Sequence, residues 1–164
     1  MTDWEQLTLV RLGELVVATK RGTLAALGLG SCVAVLIHDA SRQIGGLAHV
    51  LLPSRSLCRN RNKPVRSADA AVPLLVSKMI EAGAERTRLE SRLVGGASMF
   101  ADLMARGAVH IGERNLAACR LALRSEGVEV TAEAVGGETS RSVWFDVRSG
   151  VVKVRSPYGE PVQI

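Results

Sequence analysis

Along the first third of the chain, apolar residues gather in short runs broken by glycine or polar residues. Val10 to Ala18, Thr23 to Leu27, Val33 to Ile37 and Leu47 to Leu52 are rich in Val and Leu and predict β-strands. From Asp69 to Ala82 the spacing changes. Val72, Leu75, Val76, Met79 and Ile80 recur at helical intervals, and Gly83 supplies a stop. Pro73 is expected in or near the first turn of that helix, because deeper in it would remove a hydrogen bond. Leu93 to Ala97 predicts a short strand. Glu113 to Ser125 predicts a second helix, with Leu116, Cys119 and Leu123 on one face and Gly127 after its end. Val128, Val130, Ala132 and Ala134 then alternate with polar residues, and Trp144 to Val147 and Val151 to Val154 flank Arg148-Ser149-Gly150 in a hairpin pattern. Many strands with two or three helices predict an α+β fold in which helices cover one or more sheets, as a single domain over residues 1–164.

Composition narrows the picture. The chain has 164 residues, 47% of them apolar and only 3% aromatic, so the core is built mostly from Val, Leu, Ile and Ala. The sequence has no run of about 18 apolar residues, and MTDWEQLTLV lacks the features of a signal peptide, so a cytoplasmic protein without membrane insertion is expected. Cys32, Cys58 and Cys119 are odd in number and widely spaced, which argues against a disulfide framework. No CxxC or HxxxH spacing is present, so no metal site is expected.

The formal charge is +5, which favours an acidic partner. Much of the positive charge lies in one stretch, Ser54 to Ser67, with Arg55, Arg59, Arg61, Lys63 and Arg66 and no acidic residue. It predicts an exposed loop, either simply solvated or drawn to acidic surface. It lacks aromatic residues for base stacking and no helix-turn-helix pattern accompanies it, so nucleic acid is not the expected partner. GLGSC is not a phosphate loop either, since a strand follows it and the Lys and Ser/Thr of that motif are missing.

The candidate chemistry lies in TLAALGLGSCVAVLIHD, residues 23–39, where a thiol follows a glycine turn. If HDASRQ (38–43) is a connector centred between Ala40 and Ser41, Asp39 faces Arg42 and, counted back along the hairpin, Cys32 faces His49. Opposed residues have Cβ atoms roughly 4.5–5.5 Å apart, close enough for an imidazole to share the thiol proton and favour the nucleophilic thiolate. A bulge at Gly45-Gly46 would instead turn His49 to the other face. Gly28 and Gly30 allow a tight turn and leave room for a substrate backbone, and amide groups near Ser31 and Cys32 are candidates for an oxyanion hole. The plainer alternative is that Cys32 is a small buried hydrophobe. His38 is expected to be solvated in the connector, His110 structural or exposed, Cys58 an incidental exposed thiol and Cys119 core.

LGLGSCVAVLIHD followed by GGLAHVLLP resembles the chemoreceptor glutamine deamidase family CheD. The likeness continues in VGGASMF (94–100), IGERN (111–115) and VGGETSRSVWFDVRSGVVKV (135–154). The resemblance implies a cysteine hydrolase that converts particular receptor glutamines to glutamate with release of ammonia. It also implies an α/β sandwich similar to deamidating bacterial toxins, no cofactor, and two partners: chemoreceptor helices and a CheC-type phosphatase. Carried over by position, Cys32 is the nucleophile and His49 the base, with Gly30 and Ser31 in support. The family's third catalytic position, a threonine six residues before the cysteine, is here Ala26. That leaves Ser31 or a backbone carbonyl to hold the imidazole, and allows an alternative in which the chain is a weak or inactive adaptor acting by binding. Ser140 also stands where the family tends to have Gly before Arg141.

Overall fold

The computed structural model describes residues 6–60, 62, 64–103 and 110–164. The described residues form ten strands and two α-helices: β1 (Leu7–Leu9), β2 (Leu15–Thr19), β3 (Thr23–Leu29), β4 (Val33–Asp39), β5 (Ile44–Val50), α1 (Ala68–Glu81), β6 (Glu90–Gly95), α2 (Ile111–Ser125), β7 (Glu129–Val135), β8 (Arg141–Asp146), β9 (Val152–Arg155) and β10 (Val162–Gln163). They make two sheets, ordered β1-β3-β8-β9-β10 and β2-β5-β4-β6-β7.

The second sheet lies between the helices and the first sheet. One cluster joins Val33, Val35 and Ile37 of β4 and Ala48 and Val50 of β5 to Val72, Leu75 and Met79 of α1 and to Leu116, Cys119 and Leu123 of α2. The alternate residues Ala34, Leu36 and Leu47 join Leu24, Ala26, Val143, Phe145 and Val152 of the first sheet. Strands β4 and β5 are therefore buried on both faces. That is why they read as continuous apolar runs, whereas β7, on a sheet edge, alternates. The α+β expectation is met, as three layers of helices, sheet and sheet.

Several local expectations are corrected. Val10 to Ala18 is not one strand. Only its second half pairs, as β2; residues 10–14 form a turn in which Gly13 takes φ 73, and the preceding β1 joins the other sheet. Pro73 is the sixth residue of α1, just past its first turn, where its missing N–H leaves the Asp69 carbonyl without its helical partner. The 38–43 connector is shorter: His38 and Asp39 belong to β4, and only residues 40–43 turn. The Asp39 carboxylate closes that turn, accepting from Ser41 Oγ (2.9 Å) and Arg42 N–H (3.1 Å), with Gln43 in the left-handed region at φ 53.

His38 is consequently not solvated. It lies between the sheets, edge-on to Phe145 at 5.4 Å, and its Nε2–H donates to the Val147 carbonyl at 2.9 Å. Gly150 makes room for it, since a Cβ there would fall 2.7 Å from His38 Cε1. Burial lowers the His38 pKa, with the Val147 hydrogen bond opposing. The unfolded chain thus takes up this proton more readily than the native one. Stability should be full above the ordinary imidazole value of about 6.5 and fall as pH drops below it. Urea midpoints measured from about pH 7 to about pH 5.5 should decline, and the decline should shrink in His38→Gln.

Candidate active site

The hairpin of β4 and β5 decides where the candidate nucleophile and base lie. Val33 pairs with Val50, Ala34 with His49 and Asp39 with Ile44, with no bulge at Gly45-Gly46. Those two glycines serve close approach instead: a Cβ at Gly45 would fall 2.7 Å from Phe145 Cε1, and one at Gly46 would fall 2.7 Å from Leu75 Cδ1. Extended by one pair, this register sets Cys32 against Leu51, not His49. The expected direct opposition is therefore replaced by a diagonal one. The face is unchanged, because His49 shares its parity with Leu47, and Cys32 packs on the same intersheet cluster as Ala34. Diagonal neighbours are roughly 7–8 Å apart, a gap that a long side chain such as imidazole can cross.

His49 is 6% exposed and tightly oriented. Its backbone is clamped by the turn after β1: Gly13 N–H donates to the His49 carbonyl (3.0 Å), and His49 N–H donates to the Glu14 carbonyl (2.9 Å). The same turn takes the ring. His49 Nδ1 lies 3.1 Å from the Val10 carbonyl, which can only accept, so Nδ1 carries a proton. In the neutral ring Nε2 is then the basic nitrogen. Val10 is itself fixed, since its N–H donates to Ala25 O at 2.8 Å.

Ala26 is fully buried on the intersheet face of β3, in the cluster against which Cys32 packs. Thr23 lies at the opposite parity of β3, and its hydroxyl has no hydrogen-bond partner. It does not replace a hydroxyl at position 26.

The Cys32 loop rests in a glycine cradle. Gly28 takes φ 64 at a bulge between β3 and β8, and its N–H donates to Ser142 Oγ (3.0 Å). The Cys32 carbonyl accepts from Gly96 N–H (2.8 Å), and the Gly30 carbonyl accepts from Ala97 N–H (2.8 Å). A Cβ on Gly95, which takes φ 110, would overlap the Cys32 carbonyl. Gly30 does not leave open space for substrate as expected, because Met99 Sδ occupies it, 2.7 Å from where a Cβ would stand. The Ser31 carbonyl accepts from Asn115 Nδ2 at 2.9 Å. Among the described residues, the N–H groups of Ser31 and Cys32 have no hydrogen-bond partner.

Sequence reasoning missed Val10, Gly96, Gly112 and Asn115. Only the glycines and the IGERN segment carried a signal, and that signal did not say what they hold.

Burial raises the Cys32 thiol pKa, and burial lowers that of His49, against the Val10 hydrogen bond and nearby Glu14. Burial thus disfavours the charged form of both groups. No hydrogen bond joins them among the described residues.

The other candidates lie apart. Cys119 is core, its pKa pushed up to about 12 by burial. Cys58 is half-buried, with Sγ donating to Asn60 O. His110 is the half-buried N-cap residue of α2. In the basic stretch Arg55 and Arg59 are exposed, whereas Arg66 is half-buried against Gly13; Arg61 and Lys63 lie outside the described residues. Arg141 follows Ser140 and donates to the Gly136 carbonyl at 2.7 Å. A cleft of about 640 Å³, lined by Trp144, Asp146, Lys153 and Arg155, opens elsewhere on the first sheet and includes neither Cys32 nor His49.

Iodoacetamide alkylation of Cys32, followed on its own peptide by mass spectrometry, should be slow at neutral pH. It should rise only through a pH above the ordinary thiol value of about 8.5. A rate plateau starting below neutral pH would show a resting thiolate.

A family model described as CheD chemotactic sensory transduction matches residues 51–156. A Thermotoga maritima protein named chemoreceptor glutamine deamidase CheD is 38% identical over 150 residues, covering 92% of each chain. One from Desulforamulus reducens, named probable chemoreceptor glutamine deamidase CheD, is 36% identical over 155 residues, 94% of this chain and 93% of its own. Another of that name from Thermococcus kodakarensis is 35% identical over 146 residues, 89% of this chain and 90% of its own.

Proposed function

The chain belongs to the CheD family, and we propose that it deamidates glutamine side chains of chemoreceptors by a thioester mechanism with Cys32 as nucleophile and His49 as base. The observation that carries this reading is the Val10 carbonyl on His49 Nδ1. It leaves Nε2 basic, on the face of the hairpin that Cys32 shares.

The steps follow from those proton positions. Cys32 Sγ attacks the carboxamide carbon as its proton passes to His49 Nε2, forming a C–S bond and an oxyanion. The Cys32 N–H stabilises that oxyanion. Collapse breaks the C–N bond, and imidazolium returns the proton so that ammonia leaves. His49 then takes a proton from water, whose oxygen attacks the thioester. Breaking the C–S bond frees glutamate, and the sulfur regains the proton.

Orientation of His49 by a backbone carbonyl makes a hydroxyl at position 26 unnecessary for the base. Such an orienting group holds the tautomer and stabilises the imidazolium that forms.

The wider setting is part of the same proposal. No helix among the described residues is long and apolar enough to cross a membrane. We place the protein in the cytoplasm, as one domain, where receptor helices and a CheC-type phosphatase are the partners. Exposed Arg55 and Arg59 suit acidic receptor helices by long-range attraction. The two-sheet sandwich is the architecture we would align with the deamidating toxins.

The test is a purified receptor cytoplasmic segment carrying glutamine at its modification sites, with amide-to-acid conversion read by mass spectrometry. Cys32→Ala and His49→Ala should each lower the rate by about 10³-fold or more. Ala26→Thr should change it less than about tenfold, at a cost in stability of about 1–3 kcal/mol for overpacking a full core position. Binding of the receptor without conversion would favour the adaptor instead.

A further inference from the structure

Asn115 is fully buried near the start of α2 and has no place in the chemistry above. Its side-chain nitrogen donates twice, to the Ser31 carbonyl at 2.9 Å and to the Leu51 carbonyl at 3.0 Å. Both partners can only accept, so the amide orientation is unambiguous. Its oxygen, equally buried, has no partner. A leucine would fill the same volume without that unmet acceptor, so packing gives no reason for an amide here.

The two carbonyls explain the amide. Ser31 immediately precedes Cys32, and Leu51 is the residue that the hairpin register brings opposite Cys32, two positions after His49. One side chain therefore ties the nucleophile's loop to the end of the base's strand. Gly112 lets α2 come close enough, since a Cβ there would fall 2.5 Å from the Ala97 carbonyl and 2.7 Å from that of Gly96.

The bond to Ser31 also fixes a direction. The Ser31–Cys32 peptide is trans and planar, so its N–H points opposite to its C=O. With the carbonyl held on Asn115, the Cys32 N–H is turned away from α2, where no described group accepts it. A backbone donor held in place without a partner is what an oxyanion hole requires before substrate arrives.

We infer that Asn115 is a positioning residue for the reaction: it locks the Ser31–Cys32 peptide so that the Cys32 N–H faces the developing oxyanion. This rests on Cys32 being the nucleophile. It differs from a general packing role because it acts on attack at a carbonyl and not on reactions of the thiol that form no oxyanion.

Asn115→Leu fills the space and deletes both bonds; Asn115→Ala deletes them by truncation and serves if the first does not fold. Each is compared with the unaltered protein for kcat and KM in receptor deamidation and for alkylation of Cys32 by iodoacetamide across pH. The inference expects kcat to fall roughly 10²-fold, while KM and the alkylation rate stay within about threefold and the alkylation pH profile is unmoved. An unchanged kcat overturns it. So does a matching fall in turnover and alkylation, which would mean that Asn115 only holds the loop together. Full turnover by Cys32→Ala in the same assay would instead remove the nucleophile assignment, a separate result.

Discussion

The buried carboxylate of Asp39 closes the turn between β4 and β5, and the far end of the hairpin inherits the register it sets. One oxygen takes Ser41 Oγ and Arg42 N–H; the other takes Glu85 N–H at 2.9 Å, from beyond α1. Burial pushes its pKa up, but the hydrogen bonds from Glu85, Ser41 and Arg42 outweigh this and hold it below the ordinary value. Because β4 and β5 are buried on both faces, a slip by one residue would exchange the two halves of the core. The pairing that puts His49 beside Ala34 is thus enforced by the whole interior.

Second to this constraint is the crowding around the thiol. Backbone from four places meets there: the β3–β4 loop, the end of β5, the Gly95–Ala97 segment and the first turns of α2. Burial there discourages charge on both the thiol and the imidazole. The arrangement favours chemistry in which substrate supplies the place for charge to develop.

The sequence was most legible where one interaction dominates. Apolar periodicity marked α1 and α2, continuous Val and Leu marked β4, and the Arg148-Ser149-Gly150 turn marked the pairing of β8 with β9. Cys32 and His49 were readable as sharing a face because strand parity survives a shift of the turn by one position. Their diagonal offset was not readable, since Asp39's role depends on an N–H contributed by Glu85, far along the chain. His38 looked like a turn residue for the same reason. The turn at residues 10–14 was hidden by a run of strand-forming residues of which only the second half pairs, as β2. Asn115 was visible only as part of a motif, because a side chain that bonds backbone carbonyls leaves no trace in the residues it holds.

The carbonyl of Val10 has one more consequence. A hydroxyl that orients an imidazole can be deleted by a single codon change, whereas a main-chain oxygen is supplied by every one of the twenty residues. On the proposed mechanism, with the turn after β1 holding the ring, position 26 is left to serve the core, and the orienting function rests on the path of the chain and not on the identity of a residue. In the proposed site the orientation of His49 then depends on the path of the chain through Gly13 and Glu14 and on the burial of Val10 that fixes that path.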